Sequence, residues 1–272
     1  MAFFLLVRLW PAAQGFWLSF NSWNLLGAER FVGLANYARL GGDPVFWKAT
    51  LNSFTYVGLG LPVSLLLAFT VAYFLDGVQR GHALLRALYF LPHLTTAAAM
   101  AWVWKWFYQP VPVGIFNMVL ATLHLPPQPF LRSTTQALPA VLVPAVWAML
   151  GFQIVIFLAG LKAIPRTYYE AAAIDGSSAW RTLTEITLPL LQPTIVFLIV
   201  VSSITFLRIF DHVYNMTNGD GGPLDATKPL VLSIYQSAFG RFEMGYAAAQ
   251  TVVLFAILLC LTLLQMRVLR QR

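Results

Sequence analysis

Long stretches without a charged residue restrict the fold of this chain more than any other feature. There are six such stretches, each without Asp, Glu, Lys or Arg: Leu9–Ala28, Ala49–Leu75, Ala87–Trp104, Ser133–Leu161, Ile186–Leu207 and Met244–Met266. A helix that crosses a bilayer needs about 20 mainly apolar residues, because the hydrocarbon layer is about 30 Å thick. Each stretch is long enough, and the third extends past Lys105 if that side chain reaches the interface. The chain is therefore predicted to be an all-α, polytopic membrane protein.

The composition indicates that lipid, rather than water, surrounds most of the chain. Of 272 residues, 59% are hydrophobic and 10% are charged, whereas a soluble domain carries about 25% charged residues. The net charge of +7 raises the question of nucleic-acid binding, but the sequence has neither a dense basic stripe nor an interleaved aromatic RNA motif. We therefore attribute the basic excess to membrane topology and expect no nucleic-acid partner.

We predict a single transmembrane domain over residues 1–272. Its six helices are expected at residues 3–23, 49–75, 85–108, 135–161, 187–212 and 243–267. Their internal prolines are compatible with a bundle, because neighbouring helices satisfy the freed carbonyls. A β-barrel would need short alternating strands instead. The N-terminal stretch is interpreted as the first helix rather than a signal peptide, because Arg8 interrupts it and no small-residue cleavage site follows.

The distribution of Lys and Arg among the connections predicts the orientation. One side carries eight of these residues and the other carries six. The larger set comprises Arg80, Arg86, Lys162, Arg166, Arg181, Arg267, Arg270 and Arg272. With six helices both termini lie on the same side. We therefore place both termini, and the connection 162–189, in the cytoplasm of a multi-pass protein of the cell (inner or plasma) membrane.

Residues that commonly carry chemistry are sparse in this chain. A single cysteine, Cys260, excludes an internal disulfide and makes a zinc site implausible. The four histidines are scattered without metal-ligand spacing, and the sequence has no GxxxxGKS/T loop that would hold a nucleotide. We therefore expect no catalytic residue, no metal and no cofactor in this chain, and we do not expect an enzyme.

The connection between the fourth and fifth predicted helices has an unusual pattern of small and charged residues. Residues 168–173 favour a short helix after Pro165, Gly176 breaks it, and Ser177 or Ser178 can cap a second helix at residues 179–187. Pro189 then falls in the first turn of the next membrane helix, where proline is tolerated. An amphipathic elbow at the lipid surface is one interpretation. The alanines make a weak lipid anchor, however, and favour close docking to another protein.

This connection resembles the EAA motif of permease subunits in binding-protein-dependent ABC importers. The matching positions are Glu170, Ala171, Ala172, Asp175, Gly176, Ile186, Leu188 and Pro189. Other segments resemble the branch that contains the first membrane subunit of maltose and glycerol-3-phosphate importers: residues 31–37, 86–92, 159–165 and 210–211. Two departures are a very short charged N-terminal tail and the lack of a large extracellular insertion.

The resemblance implies a type I-like importer permease fold and a set of partners. In such a family the elbow is the coupling helix, and it binds a separate ATPase dimer that uses ATP and Mg²⁺. A second permease subunit would complete a heterodimer, and an extracytoplasmic solute-binding protein would deliver a sugar or sugar-like solute. Glu170 would pair with a basic group of the ATPase, Ala171 and Ala172 would allow close packing, Gly176 would permit the turn, and Leu188-Pro189 would transmit the motion.

Polar groups inside the membrane segments are candidates for contact with the solute, because such groups are costly there. They are Gln153, Ser202, Ser203, Thr205, Arg208, Asp211, Tyr214 and Asn215. The alternative is structural: Ser and Thr commonly pack between membrane helices, and Arg208 and Asp211 have the spacing of an ion pair. Which sugar is carried stays open; mono-, di- and oligosaccharides and glycerol phosphates all remain candidates.

A stand-alone secondary carrier or channel is the alternative function. Ion coupling in such a protein needs a buried Asp, Glu or His. Among these types the predicted spans contain only His93, near a helix end. A non-transporting scaffold would not need the elbow. We therefore prefer an ATP-driven importer.

Overall fold

The computed structural model describes residue 3 and residues 5–78 and 82–270. This part of the chain is mostly helical, with one two-stranded antiparallel sheet formed by β1 (Asn21–Ser22) and β2 (Arg30–Phe31). Arg80 and Arg272, which entered the predicted charge distribution, and residue 4 of the first predicted helix lie outside the described residues.

The first helix is shorter than the predicted 3–23. A π-helical turn at Leu5–Leu9 leads into α1 (Trp10–Leu18), and the chain then enters β1. Asn21 explains the early end, because its Nδ2 donates to the carbonyl of Trp17 at 2.8 Å. The last carbonyls of a helix lack partners within it, and here a side chain supplies one while the backbone turns into the sheet.

The second predicted helix begins earlier than residue 49. Helix α2 (Ala35–Gly42) is followed directly by the 33-residue α3 (Pro44–Asp76). Asp43 caps α3, since its Oδ1 accepts hydrogen bonds from the amides of Val45 at 2.9 Å and Phe46 at 3.3 Å. Proline in the first turn of a helix loses no hydrogen bond, so α3 can begin at Pro44. The charged and aromatic residues between Pro44 and Ala49 therefore belong to the helix.

The predicted helix 85–108 is two helices, α4 (His82–Leu94) and α5 (Ala97–Phe107). Pro92 lacks an N–H and weakens the end of α4. Thr96 then starts α5 as its N-cap, with its Oγ1 accepting from the amide of Ala99 at 3.3 Å. A proline followed closely by a capping threonine thus divides this apolar stretch.

The remaining described helices follow in chain order. They are α6 (Ile115–Thr122), α7 (Ala137–Ala163), α8 (Arg166–Ile174), α9 (Ala179–Thr182), α10 (Leu188–Leu190), α11 (Gln192–Leu207), α12 (Asp211–Met216), α13 (Leu230–Tyr235) and α14 (Met244–Arg270). Short 3-10 turns occur at Phe130–Arg132 and Pro223–Asp225, and π-helical turns at Leu183–Thr187 and Gln236–Gly240. The predicted helix 187–212 is interrupted after Leu207, where the amide of Ile209 bonds to the carbonyl of Phe206 and the α-helical ladder ends.

Within the described residues, four spans are long and apolar enough to cross a membrane. They are Pro44–Asp76, Ala137–Ala163, Gln192–Met216 and Met244–Val268. These correspond to the second, fourth, fifth and sixth predicted spans. The first and third apolar stretches are present, but as the shorter helices α1, α4 and α5.

Helix α7 lies at the centre of the bundle and packs against α3, α4 and α11. One buried cluster surrounds Tyr56, Leu142 and Phe206, and a second, nearer the elbow, surrounds Phe157 and Leu198. Gly60 allows the close contact in the first cluster, because a Cβ there would lie 2.8 Å from Cε1 of Phe206. The bundle thus holds α11 firmly between the elbow and the opposite end of the molecule.

Candidate coupling elbow and solute path

The turn of the elbow has the hydrogen bonds of a Schellman motif. After α8, the amide of Gly176 donates to the carbonyl of Ala173 at 3.2 Å, and the amide of Ser177 donates to the carbonyl of Ala172 at 2.9 Å. Gly176 has φ of +69°, a conformation that glycine adopts at little cost. Ser178 then caps α9, its Oγ accepting from the amide of Arg181 at 3.3 Å. The predicted helix–glycine–helix conformation is confirmed.

The residues of the EAA stretch divide into a buried and an exposed set. Ala172 is buried within the chain, whereas Glu170, Ala171, Asp175 and Gly176 are exposed. Two large apolar residues beside them are also exposed, Ile174 at 87% and Trp180 at 73%. Ile174 was not among the predicted site residues. The available signal was a large apolar residue directly before the turn at Asp175 and Gly176.

The elbow is joined stiffly to the fifth membrane helix. The hydroxyls of Tyr169 and Thr187 lie 3.3 Å apart, which connects α8 to the π-helical turn that precedes α10. Thr187 is buried, Ile186 and Leu188 are half-buried, and Pro189 is exposed in the first turn of α10. Arg181 and Glu185 form an ion pair at 2.9 Å, but the pair is exposed and therefore adds little stability.

A buried polar contact joins three helices in the middle of the bundle. The Nε2 of Gln153 donates to Ser64 Oγ at 3.1 Å and to Ser202 Oγ at 2.9 Å. All three side chains are fully buried. Ser203 is also fully buried and accepts a hydrogen bond from Gln265 Nε2 at 2.8 Å. The structure therefore brings Gln153 and Ser202 together, and it adds Ser64 and Gln265, whose partners no local sequence pattern identifies.

The other predicted path residues lie on exposed surface where α11 ends and α12 begins. Thr205, Arg208 and Asp211 are exposed, and Asn215 is half-buried with its Nδ2 bonded to the carbonyl of Asp211 at 2.8 Å. Within the described part of the chain, no ion pair joins Arg208 to Asp211. Both charges therefore remain available to a solute or to a partner.

Tyr214 belongs to a row of four aromatic side chains, which we call the aromatic ladder: Phe210, Tyr214, Tyr235 and Phe239. The ring centroids of Phe210 and Tyr214 are 5.3 Å apart, those of Tyr214 and Tyr235 are 5.4 Å apart, and those of Tyr235 and Phe239 are 5.2 Å apart. A hydrogen bond with Tyr214 raises the pKa of Tyr235. Of the four, only Tyr214 is a predicted site residue. For Tyr235 and Phe239 the sequence offered one signal: they are four residues apart, so on a helix their side chains are neighbours.

The loop between α12 and α13 is tightly fixed. Asn52 Nδ2 donates to the carbonyls of Asp225 and Lys228, each at 2.9 Å, and the Tyr56 hydroxyl donates to the carbonyl of Thr227 at 3.0 Å. Lys105 bonds to Asn218 from the other side. Because α3 and α5 both hold this loop, α12 and α13 have fixed positions relative to the bundle.

Residues 44–272 match the protein family described as the binding-protein-dependent transport system inner membrane component. The chain belongs to this family.

Curated relatives cover nearly the whole chain. The probable ABC transporter permease protein YesP of Bacillus subtilis is 34% identical over 264 residues, which are 96% of this chain and 84% of the relative. The sulfoquinovosyl glycerol transport system permease protein SmoG of Agrobacterium fabrum is 32% identical and covers 98% of this chain and 86% of its own length. The sn-glycerol-3-phosphate transport system permease protein UgpA of Brucella abortus is 33% identical, and the match covers 97% of this chain and 89% of the relative.

Solved structures show the same fold. A chain of a bacterial alginate ABC transporter in complex with an alginate pentasaccharide-bound periplasmic protein superimposes with a TM-score of 0.86. The match covers 99% of this chain and 91% of that chain at 21% identity. The likeness at this level of identity concerns the fold alone.

These findings confirm the predicted resemblance and the predicted fold class. The chain is a multi-pass inner-membrane component of a binding-protein-dependent transport system, and its helices contribute to the translocation pathway. The relatives are transporter permeases rather than enzymes, and the alternative of a stand-alone carrier or channel finds no support among them.

Proposed function

We propose that this chain is one of two membrane subunits of an ATP-driven importer for a sugar or sugar-like solute. A soluble binding protein delivers the solute from outside the cell. The names of the relatives support this class of solute, since one carries sulfoquinovosyl glycerol and another carries sn-glycerol 3-phosphate. The chain needs no cofactor of its own, because ATP and Mg²⁺ are bound by a separate ATPase dimer.

The observation that carries the proposal is the elbow itself. Its turn is closed by backbone hydrogen bonds, yet it presents Glu170, Ile174 and Trp180 on its surface. Aromatic side chains dominate the energetics of protein interfaces, especially in desolvated pockets. A fixed turn that presents the Glu170 carboxylate beside two exposed apolar side chains suits a groove on a partner protein.

Coupling then follows from the connection of the elbow to α11. When the ATPase dimer closes on ATP, it moves the elbow, in which Glu170 pairs with a basic group and Ala171 allows close approach. The turn at Asp175 and Gly176 transmits this movement through Ile186 and Leu188-Pro189 to the fifth membrane helix. Ala172 is buried in this chain, so its role is to hold α8 in place rather than to contact the ATPase.

Orientation and solute path complete the proposal. We place the elbow and both termini in the cytoplasm, in accord with the larger number of Lys and Arg residues on that side. Solute contact is assigned to Thr205, Arg208, Asp211, Tyr214 and Asn215, which have exposed surface. Gln153, Ser202 and Ser203 are fully buried in this conformation. For these three the predicted contact with solute is replaced by a role in holding α3, α7, α11 and α14 together.

The test is ATP hydrolysis by the assembled complex with and without binding protein. Replacing Trp180 by Ser removes an exposed apolar contact and leaves the fold of this chain intact. We expect the variant to lose at least about tenfold of the stimulated ATPase activity, because interface hot spots contribute about 2 kcal/mol or more. Leu26→Ser is the matched control, since Leu26 is 95% exposed and lies far from the elbow in the connection between β1 and β2.

Three outcomes would count against the proposal. One is a Trp180→Ser complex that retains the ATPase subunits and full stimulated activity. Another is a lone chain that carries solute in liposomes without any ATPase. Equal losses in the Trp180→Ser and Leu26→Ser variants would also count against a specific role of the elbow.

A further inference from the structure

The aromatic ladder joins two short helices at the end of the molecule opposite the elbow. Phe210 directly precedes α12 and Tyr214 lies within it, whereas Tyr235 ends α13 and Phe239 lies in the π-helical turn after it. Tyr235 is 37% exposed and Phe239 is 60% exposed, while Phe210 and Tyr214 are half-buried. Phe210 also lies directly against Tyr235, with centroids 5.3 Å apart. The four rings thus form one continuous, partly open surface.

The position of this surface is fixed by hydrogen bonds from the bundle. One face of α12 is anchored by Val213 and Met216, which are buried. The amide of Leu230, at the start of α13, donates to the fully buried Ser53 Oγ at 2.8 Å. Gln236 Nε2 also bonds to the carbonyl of Gly219 at 2.6 Å. Because both helices are held, the rings are arranged before any ligand arrives, which lowers the cost of binding.

The surroundings of the ladder are polar. Asp211 and Asn215 flank Tyr214 on α12, and Asp211 is exposed. Arg241 follows the ladder after Phe239 and bonds to Ser237 Oγ at 2.6 Å. An exposed carboxylate beside the rings is unfavourable against lipid hydrocarbon. The rings also contact one another, whereas aromatic residues of an interfacial belt are distributed around the protein at headgroup level.

We propose that the aromatic ladder is a binding surface for a pyranose ring at the extracytoplasmic entrance of the path. The apolar C–H face of the sugar would lie on the negative ring faces. Its hydroxyls would bond to Tyr214, Tyr235, Asp211 and Asn215, as expected of a mainly apolar site with a few placed polar groups. This inference rests on the proposed function, and it adds Phe210, Tyr235 and Phe239 to the residues that contact the solute.

The inference is tested with the complete importer reconstituted in liposomes with its binding protein. The radiolabelled probes are glucose, maltose and galacturonate, which contain pyranose rings, and glycerol 3-phosphate, which does not. The readout is solute imported per ATP hydrolysed. Tyr235→Leu and Phe239→Leu keep apolar bulk but remove the ring face, Tyr235→Phe keeps the ring, and Phe197→Leu is the control on a comparably exposed aromatic of α11, at 48%.

We expect the two leucine variants at Tyr235 and Phe239 to lower import of a pyranose per ATP by about three- to tenfold. In both leucine variants, binding-protein-stimulated ATP hydrolysis should stay within about twofold of wild type, since the elbow is unchanged. Tyr235→Phe keeps the ring and loses one hydroxyl, so its import per ATP should fall less than that of Tyr235→Leu. Import per ATP by the Phe197→Leu control should stay within about twofold of wild type. A parallel loss of stimulated ATP hydrolysis would show that the rings only support the fold or the contact with the second permease subunit, and would overturn the inference.

The remaining outcomes separate this inference from the proposed function. Normal pyranose import by both leucine variants overturns the inference alone. So does a wild-type complex that imports glycerol 3-phosphate but none of the three pyranoses. A wild-type complex that imports none of the four probes and whose ATP hydrolysis does not respond to the binding protein contradicts the proposed function and the inference together.

Discussion

Gly176 shows how one residue sets the geometry of the elbow. Its positive φ of +69° places the two Schellman hydrogen bonds and turns the chain from α8 into α9. No atom lies within 4 Å of a Cβ built at this position. The requirement for glycine is therefore conformational and does not come from crowding in this chain. An approaching partner surface would add a steric requirement of its own.

Substitution of Gly176 separates these two requirements. Gly176→Val should destabilise the turn by about 1–2 kcal/mol, because a β-branched residue is strained at positive φ, and should strongly reduce transport. Gly176→Asn should retain the turn, since asparagine tolerates this region. Uptake and stimulated ATP hydrolysis are measured after confirming membrane insertion. Full activity of the valine variant would contradict a coupling role for the turn.

At the scale of elements, the packing of helices depends on glycines that permit close approach. Gly151 of α7 faces α4, and a Cβ there would lie 2.8 Å from the backbone oxygen of Tyr89. His93 Nδ1 lies 3.1 Å from the carbonyl of Ala148 beside this contact. A backbone atom cannot rotate away as a side chain can. The short helix α4 is therefore held against α7 by a contact that any larger residue disturbs.

A matched pair of alanine substitutions tests this packing. Gly151→Ala should lower the stability of the purified complex by about 1–3 kcal/mol through overpacking. Gly58→Ala in α3 has no neighbour within 4 Å and should be neutral or stabilising by up to about 1 kcal/mol, because alanine is the better helix former. Thermal unfolding in detergent gives both values. A neutral Gly151→Ala variant would contradict the close contact between α4 and α7.

At the scale of the whole molecule, the segment after α1 closes onto the start of α14. Arg39 forms a bidentate pair with Glu243 at 2.8 and 3.0 Å, and its guanidinium lies 4.0 Å from the ring centroid of Tyr246. The amide of Met244 donates to the carbonyl of Trp23 at 2.9 Å. This closure lies at the opposite end of the molecule from the elbow. These contacts tie the segment after α1 to the start of α14 at the end of the molecule that also carries the aromatic ladder.

Cysteine labelling tests the orientation of these two ends. The background is Cys260→Ser, which removes the natural thiol. A membrane-impermeant maleimide applied to intact cells should label Leu26→Cys but not Ala163→Cys, at the end of α7 next to the elbow; both positions are exposed. Permeabilised cells should label both. Labelling of Ala163→Cys in intact cells would place the elbow outside and contradict the proposed coupling.

Local patterns account for much of what could be predicted. The elbow followed from a glycine, a capping serine and a proline that act within a few residues. The breaks after Leu18, at Thr95 and Thr96, and after Leu207 were not predicted, because apolar runs continue across them. In each case a side-chain donor, a cap or a tighter hydrogen bond ends the helix within an unchanged hydrophobic pattern. Length and hydropathy alone do not register these effects.

The sequence by itself determined that the chain is a bundle of membrane helices with one bent connection between two of them. The length of an apolar stretch and the ability of glycine to adopt a positive φ are local properties. They do not depend on how the helices pack. Only the tertiary structure decided that Gln153 meets Ser64 and Ser202, and that Tyr214 continues into Tyr235 and Phe239. These contacts join residues distant along the chain, and their energies depend on where the helices settle against one another.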